Sequence, residues 1–185
     1  MRNPKLASRY ANALYDFSAE MDQVEMVYHD ILYIQEAISV HKELKTVLES
    51  PIIKQDKKLK IIKEIFQKDI TEIVLNFFTL IIKKRRTPEL LMICSQFVKT
   101  YYKNHNIKEA RITSSQPLSE EMVHYIKTYL EEGSPYTFIL HLSVDPKIIG
   151  GLIVKIDDFY FDASIQAKIN KLKAEFSQNV YAAGF

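Results

Sequence analysis

Several residue types that organise other proteins are scarce in this chain. Its 185 residues include one cysteine, four glycines, six prolines and no tryptophan. A single cysteine, Cys94, cannot form an internal disulfide or a thiolate metal cluster, so the sequence suits a reducing compartment. The small number of glycines and prolines excludes collagen-like and low-complexity chains, and it favours long regular elements.

Long apolar runs and a strong net charge are lacking as well. The longest wholly apolar stretches are Phe77-Phe78 and Leu80-Ile81-Ile82, far short of the ~20 residues that cross a bilayer. The formal net charge is only +2, and the first residues contain no apolar core of the signal-peptide type. The bulk charge therefore does not indicate nucleic-acid binding, and we expect a soluble protein on the cytoplasmic side.

The sequence also lacks the residue spacings that indicate a catalytic centre. The Gly150-Gly151 pair lacks the third glycine of a dinucleotide fingerprint and the Lys-Ser/Thr of a phosphate-binding loop. The histidines have no ligand-like spacing, and they are His29, His41, His105, His124 and His141. We therefore predict no catalytic residue, no cofactor and no metal site.

Residues up to about 105 carry apolar stripes at spacings of three and four, which are typical of helices. Six such segments are separated by short loops, which predicts an antiparallel six-helix bundle. The predicted helices begin near Pro4, Val24, Glu43, Lys54, Ile70 and Thr87. The first and fifth are apolar over an unusually wide arc, which indicates either burial on most sides or a face for a partner. The five lysines of the fourth helix are expected on its outside.

The period of the pattern changes after Asn106, which marks a predicted boundary between domains 1–105 and 106–185. Strands are expected over 107–113, 136–144, 152–156 and 159–161, and helices over 119–132 and after Asp162. The stripe of the last helix should cover the small sheet, and the tail from Asn179 should be loose; this stripe contains Ile165, Ile169, Leu172 and Phe176. The fold class is thus mainly α, with a helical bundle followed by a small α+β module.

Three segments resemble one known family, and they occur in the family's order. The stretch from Val144 to Asp158, VDPKIIGGLIVKIDD, followed by DASI at 162–165, closely resembles the C-terminal signature of the δ subunit of F-type ATP synthases. The segment ASRYANALY at 7–15 is similar to that family's first-helix pattern. The family's junction between its fifth and sixth helices is similar to the segment here that contains Arg86, ELL at 89–91 and Phe97. The signature positions are Asp145, Gly150, Gly151, Lys155, Asp158, Asp162 and Ser164.

The resemblance implies a non-catalytic stator subunit of the proton-translocating ATP synthase. The N-terminal bundle would bind the N-terminal helix of an α subunit of the catalytic head, and the C-terminal module would hold the b subunits of the peripheral stalk. The subunit would sit on the cytoplasmic face of a bacterial inner membrane, attached only through the complex. The residues expected to border the α-subunit contact are Tyr10, Ala13, Leu14, Phe17, Phe77 and Leu80.

Two positions depart from the family pattern, and one alternative function stays open. Lys84 stands where the family often has Asn, and Asp157 stands where it often has Gly. Neither the composition nor the spacing excludes a helical adaptor or a nucleic-acid-binding module. The densest basic runs, Lys83–Arg86 and the lysines between 54 and 63, fit solvated helix ends because cations are favoured at helix C-termini.

Overall fold

In the computed structural model, residues 4–182 are described, with side chains as far as Phe176. This part contains eight α-helices, four strands and two short 3-10 turns. The helices are α1 (Pro4–Glu20), α2 (Val24–Val40), α3 (Lys42–Glu49), α4 (Gln55–Phe66), α5 (Glu72–Lys83), α6 (Leu90–Asn104), α7 (Glu120–Glu132) and α8 (Ile165–Ala182). The strands are β1 (Ile107–Ser114), β2 (Thr137–Val144), β3 (Leu152–Ile156) and β4 (Phe159–Asp162). The prediction of a mainly helical chain with a small C-terminal sheet is confirmed.

Close contacts divide the chain into two compact units, Met1–Asn104 and His105–Phe185. In the first unit, α6 packs against both α1 and α2, and α4 packs against α5. The core is made of apolar side chains from all six helices, and fully buried members include Ile31, Ile34, Phe66, Phe78 and Phe97. Burying an aliphatic or aromatic side chain of this size stabilises the fold by about 1.5–3 kcal/mol each, so this core holds the helices together.

The first helix packs against α6 and buries small side chains. Ala7, Ala11 and Ser18, which lie along one side of α1, are fully buried. Asn12 accepts a hydrogen bond from Thr100 of α6 at 3.0 Å. The alanines therefore pack inside the unit. The other apolar residues of α1, which widen its apolar arc in the sequence, lie on a different side of the helix.

One lysine of α4 lies inside the unit, so the expectation that all five lie outside is wrong. Lys58 is only 4% exposed, and its ammonium donates a hydrogen bond to the carbonyl of Leu48 at 2.6 Å. Leu48 lies in the last turn of α3, where carbonyl oxygens lack helical partners, so the buried donor and the open acceptor satisfy each other. Lys58 precedes the buried Ile62 and Phe66 by four and eight residues, so the helical period places it on the buried side of α4, and its long side chain reaches the carbonyl.

The second unit contains a four-stranded mixed sheet with the order β2-β1-β3-β4. β1 runs parallel to β2 and antiparallel to β3, and β3 pairs antiparallel with β4. The crossover between the parallel strands contains α7, whose N-cap Ser119 accepts a hydrogen bond from the amide of Met122. α7 packs against β2 and buries Ile126.

The last helix does not cover the sheet as the sequence predicts. Ile165, Leu172 and Phe176 of its apolar stripe are exposed, Phe176 to 70%. The first residues of α8 are hydrogen-bonded to the loop before β3, with the amide of Ile165 donating to the carbonyl of Gly150 at 2.9 Å. This junction fixes the direction of the helix, and the stripe stays open. The helix also continues to Ala182, beyond the predicted start of a loose tail at Asn179, and residues 183–185 lie outside the described part.

Candidate functional site

An exposed apolar surface follows α1 and α5. On each helix the contributing residues recur at spacings of three and four, so they lie along one side of it. Tyr10 and Phe77 join the two helices through an edge-to-face contact, with 6.4 Å between ring centroids. We call this set the α1/α5 surface, and it comprises Leu6, Tyr10, Ala13, Phe17, Ile73, Phe77 and Leu80.

Five of the six predicted contact residues belong to the α1/α5 surface. Phe17 and Leu80 are 45% and 44% exposed, Ala13 is exposed, and Tyr10 and Phe77 are partly exposed. Leu14 does not belong to it, because it lies in the core at 2% exposure beside Ala7 and Ala11. It follows Ala13 by 100° around the helix, which is enough to move a side chain from the open side to the core.

Positive charge lies beside one end of the α1/α5 surface. A shallow cleft of about 260 Å3 is lined by Lys5, Leu6, Arg9 and Tyr10. Both cationic residues are exposed. An apolar strip with cations beside it suits an amphipathic helix whose apolar side faces the strip and whose acidic residues reach the rim.

Most signature residues build a junction in the second unit through hydrogen bonds and close backbone packing. Asp145 caps the short turn before β3 by accepting the amide of Lys147 at 3.0 Å. Asp162 accepts the amide of Ser164 at 2.9 Å, and the hydroxyl of Ser164 accepts the amide of Ala167 at 3.1 Å, so the two residues cap the start of α8. Hydrogen bonds from Ser164 hold the pKa of the Asp162 carboxyl below its ordinary value, since they stabilise the ionised form.

The glycine pair completes this junction. Gly151 has φ +78°, and a Cβ there would overlap the carbonyl oxygen of Ala163. A Cβ at Gly150 would meet the end of the Ile165 side chain at 2.8 Å. Lys155 and Asp158, the other two signature residues, are exposed and stand apart from these contacts. The signature therefore specifies how β3, β4 and α8 meet.

A second exposed apolar surface lies in this unit. Register places Leu142, Ile112, Val154 and Phe161 in one row across the sheet, all on the same face. In the middle of the row Ile112 is buried and Val154 is half-buried, whereas Leu142 and Phe161 at its ends are exposed. We call the exposed side chains of this face and of the α8 stripe the C-terminal apolar surface: Leu142, Val144, Phe159, Phe161, Ile165, Leu172 and Phe176.

Sequence reasoning did not single out the sheet part of the C-terminal apolar surface. Alternation in β2 correctly indicates that Leu142 and Val144 share a face, but alternation is the same for a covered and an uncovered face. Ile73 on α5 was similarly missed as a surface residue. Its signal was present, because Ile73, Phe77 and Leu80 are spaced by four and three residues.

Neither surface contains the groups of an active site. Within residues 4–182, no three histidine, cysteine or carboxylate side chains are grouped so that they could hold a metal ion. Burial raises the pKa of the Cys94 thiol to about 12, so it stays protonated and a poor nucleophile. No helix in the described part is long and apolar enough to cross a membrane. What the two surfaces offer is apolar area for binding other proteins.

Comparison with known proteins gives one consistent result. The family model described as "ATP synthase delta (OSCP) subunit" matches residues 6–176. The chain is 34% identical to ATP synthase subunit delta of Amoebophilus asiaticus, covering 95% of this chain and 96% of that one. It is 29% identical to ATP synthase subunit delta of Cytophaga hutchinsonii, covering 97% of this chain and 98% of that one.

A solved structure has the same fold. A chain from the cryo-EM structure of the Toxoplasma gondii mitochondrial ATP synthase hexamer superposes with a TM-score of 0.71 at 19% identity. The superposition covers 92% of this chain and 97% of that one. The family match over residues 6–176 and the delta-subunit relatives favour a stator subunit over the alternative of a helical adaptor or nucleic-acid-binding module. The chain belongs to the ATP synthase delta (OSCP) subunit family, and it is a non-catalytic stator subunit of that enzyme.

Proposed function

We propose that this subunit joins the catalytic head to the peripheral stalk by binding a different partner with each unit. The first unit, acting as one antiparallel six-helix bundle over residues 1–105, takes the N-terminal helix of an α subunit. The second, residues 106–185, holds the C-terminal ends of the b subunits. The observation that carries the proposal is that each unit has its own exposed apolar surface.

The α1/α5 surface has the chemistry of a helix-binding site. Its aromatic side chains, Tyr10, Phe17 and Phe77, present large apolar area at low cost in conformational entropy, as residues that dominate interfaces commonly do. Ala13 lies between Tyr10 and Phe17 on the same side of α1 and leaves room for a partner backbone to approach. Lys5 and Arg9 beside the strip would pair with acidic residues on the partner's polar side.

A peptide titration tests the first contact. The full chain is titrated with the α-subunit N-terminal peptide, and Ala13→Glu is compared with Ala19→Glu, which places the same charge on another exposed side of α1. A carboxylate buried against an apolar helix costs several kcal/mol, so Ala13→Glu should weaken binding by about 1000-fold while Ala19→Glu binds as the parent does. Equal binding by both variants, with unchanged circular dichroism, would show that the peptide binds elsewhere.

The C-terminal apolar surface is proposed to receive the b subunits. Leu172 and Phe176 on α8 and Phe161 on β4 are more than half exposed, which is costly for a subunit that works alone. Lys168, Lys171 and Lys173 are exposed on the same helix and offer positive charge to acidic b-subunit ends. The partner would thus bury the apolar stripe and pair with the lysines beside it.

Capture of b subunits tests the second contact. Leu172→Glu introduces a charge on the open stripe, and Asn170→Glu introduces it about 160° away on the same helix. We expect Leu172→Glu to lose b subunits and to keep α-peptide binding, and Asn170→Glu to keep both. Deleting the chain from Ile107 onward should likewise release only the b subunits. Retention of b subunits at full affinity by the truncated protein would overturn the division between units.

Two contacts acting together explain how such a subunit can resist rotor torque without chemistry of its own. Once one unit has bound, the second contact forms at a high effective concentration, so dissociation requires both to open. The load is carried by packed apolar surfaces, which deform little. In this proposal the subunit is peripheral at the cytoplasmic face of a bacterial inner membrane, and it reaches the membrane only through the proton-translocating complex.

A further inference from the structure

A cleft of about 610 Å3 lies in the first unit, at the end where α4 begins and α5 ends. Its walls are the connection from α3 to α4 and the turn after α5. Three cationic side chains, Lys54, Lys58 and Arg85, line it. Neither proposed partner contact uses these residues, so the cleft needs an explanation of its own.

The innermost cation is held in place. Lys58 is almost completely buried and uses one of its three donors on the carbonyl of Leu48. Burial lowers its pKa, since the charged form is poorly solvated there. Lys54 is the N-cap residue of α4, with an extended backbone, so its positive charge stands at the helix end where the dipole favours a negative charge. A bound anion would offset both penalties.

Arg85 occupies a backbone conformation that favours glycine. Its φ is +58°, and the amides of Arg85 and Arg86 donate to the carbonyls of Ile82 and Ile81. This is the C-terminal helix motif in which glycine is the usual residue at the left-handed position. Backbone strain disfavours a non-glycine residue at this position, so the presence of arginine indicates a role for its side chain.

These cations are not neutralised by neighbouring carboxylates in the described part of the chain. No carboxylate there lies within 4 Å of the charged nitrogens of Lys54, Lys58 or Arg85. Asp56 also lines the cleft, in the first turn of α4, where the helix dipole favours a negative charge. The cleft therefore keeps an excess of two positive charges among its lining side chains.

We propose that this cleft binds a phosphate-type oxyanion, with Lys54, Lys58 and Arg85 as its ligands. Arginine and lysine side chains that line one cleft suit phosphate oxygens, because each charge-assisted hydrogen bond is about twice as strong as a neutral one. The lining residues include no aromatic side chain on which a base could stack. The site thus recognises phosphate groups and does not read a nucleotide base.

Thermal unfolding of the full chain with inorganic pyrophosphate tests the proposal. Pyrophosphate should raise the melting temperature of the first unit by about 6 °C near ten times its Kd, whereas sodium chloride at equal ionic strength should not. Arg85→Gly is the decisive variant, because it should raise the melting temperature without ligand by relieving the backbone and yet weaken pyrophosphate binding by about tenfold. Lys54→Gln should weaken binding similarly.

Lys57→Gln is the matched control, since Lys57 is an exposed lysine of the same helix turn outside the cleft. It should bind pyrophosphate as the parent does. Equal stabilisation by pyrophosphate and sodium chloride would overturn the proposal, as would unchanged affinity in both Arg85→Gly and Lys54→Gln. ADP that binds more than tenfold tighter than pyrophosphate would show that a base is recognised, which also contradicts the assignment.

Discussion

Replacing Gly151 by alanine should destabilise the second unit selectively. The left-handed conformation at φ +78° costs an alanine about 1 kcal/mol. The added Cβ would also overlap the carbonyl oxygen of Ala163, which is backbone and cannot rotate away. Relief requires the 163–165 segment to move, although the amides of Ala163 and Ile165 are hydrogen-bonded to the carbonyls of Leu152 and Gly150 at 2.9 Å.

The expected magnitude follows from these terms. Two weakened hydrogen bonds at about 1 kcal/mol each, added to the backbone strain, give a loss of about 3 kcal/mol in the free energy of unfolding of the second unit. Gly150→Ala should cost about 1 kcal/mol, because the clash is with the flexible end of Ile165. Gly133→Ala should change stability by less than about 0.5 kcal/mol or increase it, because nothing lies within 4 Å and its φ is negative.

Hydrogen exchange measured peptide by peptide separates the two units and so provides the assay. Amides of residues 105–176 should exchange faster in Gly151→Ala, while amides of α1 to α6 keep their protection. The b-subunit contact should weaken in the same variant, and α-peptide binding should persist. If Gly151→Ala is within 0.5 kcal/mol of Gly133→Ala, the close approach at Ala163 does not constrain the junction, and the structural role given to the signature is refuted.

Three further predictions concern single side chains. Ala11→Glu should unfold the first unit, because Ala11 is fully buried in its core, whereas Ala13→Glu should leave the circular dichroism and melting temperature nearly unchanged. The pKa of the Asp162 carboxyl, measured by NMR titration, should lie below its ordinary value of 3.8. Its cap on α8 should therefore be present above pH 3.8 and be lost as the pH falls through the lowered pKa. Ser164→Ala should bring this pKa back toward 3.8. Cys94 should resist thiol reagents at pH 8 in the native protein and react after unfolding in urea, and rapid native labelling would contradict its burial.

Local sequence patterns were sufficient to predict the helices and strands and to identify the family. Stripes at spacings of three and four predict the six helices of the first unit closely; α5 begins at Glu72, two residues after the predicted start, because Thr71 is the N-cap residue. Alternation predicts β2, and Ser119 is the predicted cap of α7. These features depend on residues near one another in the chain, so the sequence carries them directly.

The sequence by itself therefore determined the mainly helical class, the small C-terminal sheet and the three segments that identify the family. The tertiary structure decided which apolar stripes are covered. Leu14 and Ala13 are neighbours in the chain, yet only Leu14 enters the core. Lys58 is buried because the end of α3 offers it a carbonyl, and the α8 stripe is open because the Gly150–Ile165 hydrogen bond sets the helix direction. Periodicity specifies which side chains share a face, whereas the partner of that face depends on contacts between residues distant in sequence.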